Sequence, residues 1–189
     1  MISNYSLFYE YSKQEDSLFI FLDELNSPFY EERKGNVSSL TRDSKFIGYR
    51  IYNIKNIVKI KRSGMIFLPN DILIEIINSF LKDQNLELLE KKESSNYVVG
   101  KIVDIGEKIS VDLKDKVIIC ELSDRAVIDD LVVIALSGAG LNDKSIVTDE
   151  GHICSCKDLD ISNDTNPFVL DEQCVVGSDF FLMEAKLYA

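Results

Sequence analysis

Short runs in which apolar and polar residues alternate fill most of this chain, and one stretch alone keeps a sustained helical spacing. Leu7–Tyr11 and Ser17–Asp23 are rich in strand-forming residues and are joined by the polar stretch Ser12–Asp16, which predicts a hairpin. Glu31–Asn36 is charged and ends in Lys34-Gly35-Asn36, the composition of a turn. Phe46–Ile54 alternates, with Ile47, Tyr49 and Ile51 on one side and Arg50 and Tyr52 on the other, the pattern of a half-buried strand. Ile57–Ile60 and Met65–Leu68 flank Ser63-Gly64 and predict another hairpin or tight turn. The helical stretch follows. Asn70 suits an N-cap, Asp71 the first turn, Lys82 the last turn and Asn85 the C′ position. Between them Ile72/Leu73, Ile76/Ile77 and Phe80/Leu81 recur every four residues, giving one wide apolar face to lay across the preceding strands.

Leu86–Leu89 reads as one more short strand, and Glu90–Asn96 contains no large apolar residue. A domain boundary is expected there, with an α+β domain over residues 1–90, a linker over 91–96 and a second domain over 97–189. The second domain reads as all-β. Tyr97–Ile105, Val117–Leu122 and Leu131–Leu136 are strand-like, and Ser137–Gly140 is a turn. Ile146–Val147, His152–Cys154, Phe168–Leu170 and Phe180–Met183 are shorter candidates. Many short strands with turns between them suggest a small barrel or sandwich. Within Gly151–Ile161 a buried strand should run into a helical turn, with Ser155 as N-cap and Asp158 three residues on in a capping box.

Composition narrows the class more than the fold. At 189 residues, 46% apolar and 28% charged, the chain has the make-up of an ordinary soluble protein of one large domain or two small ones. The most apolar run, Leu131–Leu136, is far too short to span a bilayer, and no secretory signal opens the chain. Cys120, Cys154, Cys156 and Cys174 are irregularly spaced, which disfavours a disulfide framework. The expected location is the cytoplasm, with no membrane partner. The net charge of −11 is concentrated: residues 1–95 hold 13 basic and 14 acidic groups, residues 96–189 hold 8 and 18. A half with net −10 repels polyanions.

Candidate chemistry is sparse. Arg50, Lys55, Lys59, Lys61 and Arg62, interleaved with Tyr49 and Tyr52, form either a phosphate-tracking face or the solvated side of two strands. His152, Cys154 and Cys156 would share one face if a strand ran through all three, but their spacing is not that of zinc motifs, and no metal is expected. One histidine, no nucleophile elbow and no phosphate-binding loop give no catalytic constellation, so neither an enzyme nor a cofactor is expected.

Three motifs carry a resemblance. Val98-Val99-Gly100, then Asp115-Lys116-Val117 with Cys120, then Gly151, Ile153, Cys154, Ser155, Asp158 and Leu159 follow one another as in the tRNA-binding OB domain family. That family includes free bacterial tRNA-binding proteins, a domain of the phenylalanyl-tRNA synthetase beta chain and the C-terminal domain of methionyl-tRNA synthetase. The order of segments in the first half is similar to the companion domain of its two-domain, phenylalanyl-tRNA synthetase beta-like bacterial members. The chain departs from the pattern at Ile109–Lys114, where the family has His-Pro-Asn, at His152, where it has Met, and in a shorter segment between Cys120 and Gly151. The resemblance implies an OB-fold, a small Greek-key barrel, after the α+β domain, and a non-catalytic tRNA-binding role. It places phosphate contacts at Lys101, Lys108, Lys114, Lys116 and Lys157 and a polar contact at Ser155. The acidity of the second half implies the alternative, an OB protein that has become a protein-interaction module for a basic protein partner. A homodimer is left open.

Overall fold

The computed structural model describes residues 1–12, 16–60, 62–123 and 125–187. They fall into two compact units, one formed by residues 1–93 with 143–145 and the other by 94–142 with 146–189.

The first unit is a six-stranded antiparallel sheet with one helix on it. Its strands are β1 (Ser6–Tyr11), β2 (Asp16–Phe21), β3 (Tyr30–Lys34), β4 (Val37–Arg42), β5 (Lys45–Tyr52) and β6 (Gly64–Met65), in the spatial order β3-β4-β5-β2-β1-β6. The helix α1 spans Asp71–Asp83. Leu7, Tyr9, Leu18, Ile20, Tyr49 and Ile51 meet Leu73, Ile74, Ile77 and Leu81 of α1 in one buried cluster. Both helix ends follow the sequence. The Asn70 carboxamide oxygen accepts from Leu73 N at 2.9 Å, and Asn85 takes φ 55°. Leu86 N then reaches Leu81 O and Asn85 N reaches Lys82 O, which closes the last turn as a Schellman motif. The apolar face is narrower than its spacing predicts, because Ile72 is 67% exposed.

The expected α+β class for this half is overturned. Strand makes up 38% of the chain and helix 11%, so the chain is mostly β, two antiparallel sheets with two helices among the described residues. Two strands of this half, β4 and β3, have no counterpart among the expected elements, and the clearer case is β3. Its residues are mostly exposed, because it is the outer strand of the sheet, so it lacks the apolar alternation that marks a strand. The expected turn at Lys34–Asn36 does exist, with Gly35 at φ 61°, but it joins β3 to β4. Ile57–Ile60 also forms no strand; Gly64 and Met65 pair with Tyr9 and Phe8 of β1 instead. In β5 the alternation holds for Tyr49 and Ile51, which face α1. A bulge in β5 opposite Leu40 and Thr41 of β4 interrupts it, with Ile47 as the extra residue, buried outside that cluster. Beside the bulge, Gly48 adopts φ +152°, and a Cβ there would lie 2.0 Å from Ile20 O.

The second unit contains β7 (Tyr97–Ile105), β8 (Ile109–Asp112), β9 (Val117–Cys120), β10 (Leu131–Leu136), β11 (Gly151–Ile153) and β12 (Val169–Leu170), followed by the helix α2 (Phe180–Leu187). The main path runs β11-β10-β7-β8-β9, and β12 pairs with β10 beyond β11's register. A meander of three strands is therefore followed by a fourth that returns beside the first. The two ends of the path come together: Glu150 Oε2 accepts from Ile119 N of β9 at 3.0 Å, and a Cβ on Gly151 would lie 2.5 Å from Ile118 Cδ1. The sheet is thus curled into a near-barrel around Ile102, Val111, Ile118, Val132, Ile134 and Ile153. Among the described residues β9 and β11 share no ladder. Phe180–Met183, expected as a strand, is instead the start of α2. The Asp179 carboxylate accepts from Leu182 N at 3.0 Å, a helix-starting contact that the apolar run conceals. Among the described residues no helix is long and apolar enough to cross a membrane.

Candidate nucleic-acid interface

The motif after β11 is built around one carboxylate. Asp158 Oδ2 accepts from Ser155 N at 2.8 Å and from Ser155 Oγ at 2.7 Å, and faces His152 Nε2 at 3.1 Å. In return Ser155 Oγ accepts from Asp158 N at 3.2 Å, which completes the reciprocal cap expected from the spacing. Burial pushes the Asp158 carboxyl upward, but the hydrogen bonds from His152 and Ser155 outweigh it and hold the group below its ordinary range. Ser155 is buried at 6% exposure and donates its hydroxyl to the carboxylate, so its side chain is occupied by the cap.

His152, Cys154 and Cys156 do not come together. The strand ends at Ile153; beyond it Cys154 is buried and Cys156 half-buried, while His152 remains 43% exposed beside Asp158. Among the described residues no group of three or more His, Cys, Asp or Glu side chains is placed to hold a metal ion.

The lysines of the second unit divide into two sets. Lys101 Nζ lies 2.7 Å from Asp129, and Lys108 Nζ 2.5 Å from Glu121. Those hydrogen bonds raise both ammonium pKa values above the ordinary one. Lys114, Lys116 and Lys157 are exposed. Acidic groups gather at the end of β9: burial, with Glu150, Asp149 and Glu121, pushes the Cys120 thiol up to about 11. Glu121 and Asp149 also line a cavity of about 310 Å³ with Leu122, Leu141 and Ile153, a feature the sequence reading missed. Its only sequence signal is the acidic pair Asp149-Glu150 directly before the Gly151 strand.

The basic cluster of the first unit does not form a single face. Tyr49 points into the core beneath α1. Arg50 packs on the opposite side of β5, with Nε 3.0 Å from Ser17 Oγ and a terminal nitrogen 3.3 Å from Glu31. Its guanidinium lies over the rings of Tyr52 and Phe19 at 4.6 and 4.9 Å, and the side chain is 15% exposed. Tyr52 in turn donates its hydroxyl to Glu31. Arg50 is therefore a structural cation. Lys55 sits over Tyr11 at 4.7 Å, and Lys59 and Arg62 are exposed further along the same connection. Lys61 lies outside the described residues.

Comparison with known proteins finds no family model that matches this chain and no curated protein that matches it.

Proposed function

We propose that this is a non-catalytic RNA-binding protein of the tRNA-binding type, acting in the cytoplasm through its second unit. The observation that carries the reading is the near-barrel itself, with Gly100 and Gly151 at its crowded positions. A Cβ at Gly100 would meet Val111, Ile134 and Leu113 within 3.0 Å, and one at Gly151 would meet Ile118 and Ile134. These two glycines belong to the motifs that resemble the tRNA-binding OB family, and the three-strand meander with a returning fourth strand suits such a Greek-key barrel. The phosphate contacts assigned by this reading are Lys114, Lys116 and Lys157. Lys101 and Lys108 contribute less, since each already holds a carboxylate.

Three contacts give a shallow salt dependence. For the full chain and unfractionated tRNA, log affinity should fall with log salt at a slope of about −2 to −3. Changing Lys114, Lys116 and Lys157 together to Glu should remove binding at low salt. Absence of tRNA binding at the lowest salt, or binding untouched by the triple change, rejects the reading. The net charge of −10 over residues 96–189 favours a second reading, a protein-interaction module for a basic partner. In that case binding is carried by Glu121, Asp149 and Glu150, and the lysine changes strengthen it.

A further inference from the structure

From Ser44 to Asn70 the chain carries six Lys or Arg and no Asp or Glu, a segregation of charge that the neutral balance of the first half conceals. Its second part, the connection between β5 and α1, is also unusually apolar at the surface. Ile57 is 58% exposed and Ile72, at the start of α1, is 67% exposed. Beside Ile72 lies a groove of about 340 Å³, walled by Val58, Ile60 and Ile66 from the connection and by Asn70, Ile72 and Leu73 at the start of the helix, with Lys59 on its wall. A single exposed isoleucine needs no explanation, but an aliphatic groove with an exposed isoleucine on its wall does.

The surrounding field is positive. Lys59 lines the groove, and Lys55 and Arg62 stand exposed on the same connection. The N-terminal turn of α1 adds the positive end of a thirteen-residue helix. The carboxylates on that helix, Asp71 and Glu75, share Lys91 at 2.9 and 3.0 Å, which offsets one of their two charges and leaves the cations of the connection in excess. We infer that this groove docks an acidic segment of a partner protein. One large apolar side chain of the segment enters the groove, and flanking Asp or Glu residues meet Lys59 and Lys55.

The wall chemistry selects this occupant over the other polyanions. Unpaired bases bind on aromatic planes and hydrogen-bonding edges, and this groove offers aliphatic walls. A lipid surface takes up protruding apolar groups, whereas this site is concave and sized for an anchoring side chain. The inference is independent of the RNA reading, which rests on lysines of the other unit.

The test uses the full chain and a fluorescein-labelled acidic amphipathic peptide of about fifteen residues, with Leu on one face and Asp and Glu elsewhere. The same peptide with Lys in place of Asp and Glu serves as the comparison. The acidic peptide should bind and the basic one should not. Ile72→Glu should weaken binding about tenfold or more and Lys59→Glu about threefold to tenfold, with Lys59→Arg close to the parent. Both side chains are at the surface, and unchanged melting temperatures exclude misfolding as the cause. Equal binding of the two peptides, or acidic-peptide binding indifferent to Ile72→Glu, overturns the inference. So does binding of phosphatidylglycerol vesicles but not of the peptide, or self-association in sedimentation that Ile72→Glu abolishes. In parallel titrations tRNA affinity should not fall with Ile72→Glu; an equal loss for tRNA and peptide would assign the groove to RNA and overturn the inference.

Discussion

Gly48→Ala is expected to destabilise the protein by about 3–5 kcal/mol, among the largest effects available to a single methyl group. Two costs add. The backbone at Gly48 has φ +152°, a conformation that L side chains rarely adopt. The new Cβ would also lie 2.0 Å from Ile20 O and 2.9 Å from Phe21 Cα, both backbone atoms of the neighbouring strand. Flexible side chains can swing away from such a clash, but here β2 and β5 must separate, breaking the ladder that joins Leu18–Phe21 to Gly48–Ile51. Since a domain of this size holds roughly 5–15 kcal/mol of stability in all, the change takes a large share. Urea unfolding followed by circular dichroism measures it, with Gly106→Ala as control, where an added Cβ meets nothing within 4 Å. A Gly48→Ala midpoint indistinguishable from that of the control would contradict the strand geometry.

Asp158→Ala is expected to cost about 2–3 kcal/mol, because it strands the amide and hydroxyl of Ser155 and removes the partner of His152. The pH dependence identifies the cause. The folded-state pKa of Asp158 lies below its unfolded value, so the carboxylate's contribution is fully present above about pH 4 and disappears as pH falls through the folded value. Melting temperatures from pH 7 down to pH 2.5 should therefore show a steeper acid loss in the parent than in Asp158→Asn, which keeps the shape and cannot ionise. Parallel curves for the two proteins would mean that the cap is neutral in its energetics and that the motif only packs.

The parts of the fold visible in the sequence are those governed by local chemistry. Asn70 and Asn85 bracket α1 because a cap acts within three or four residues, and the same holds for Ser155 with Asp158. Strands with one buried face, such as β5, announce themselves by alternation. Strands and helices whose pattern is set by distant partners do not. β3 is charged because it stands at the sheet's edge, whereas α2 has a local cap at Asp179 that the apolar run after it masks. The candidate site shows the same division. Nothing near Lys101 or Lys108 in sequence reveals Asp129 and Glu121, which remove much of their capacity to meet phosphate. Arg50 looks like a surface cation among tyrosines, yet Glu31 and Ser17 come to it from two other strands and turn it inward. The groove beside Ile72 was legible only as an excess: one apolar residue more than the helix face could bury.

Where β9 and β11 meet, a glutamate side chain substitutes for part of a backbone ladder. A ladder opens only when several bonds fail together, whereas a carboxylate on rotatable bonds releases one amide at a time, at a cost of roughly 1.5–3 kcal/mol. The near-barrel thus closes along a seam that has no ladder among the described residues. Amide exchange is expected to begin there, and to come last in the wall opposite, where β7 lies between β10 and β8.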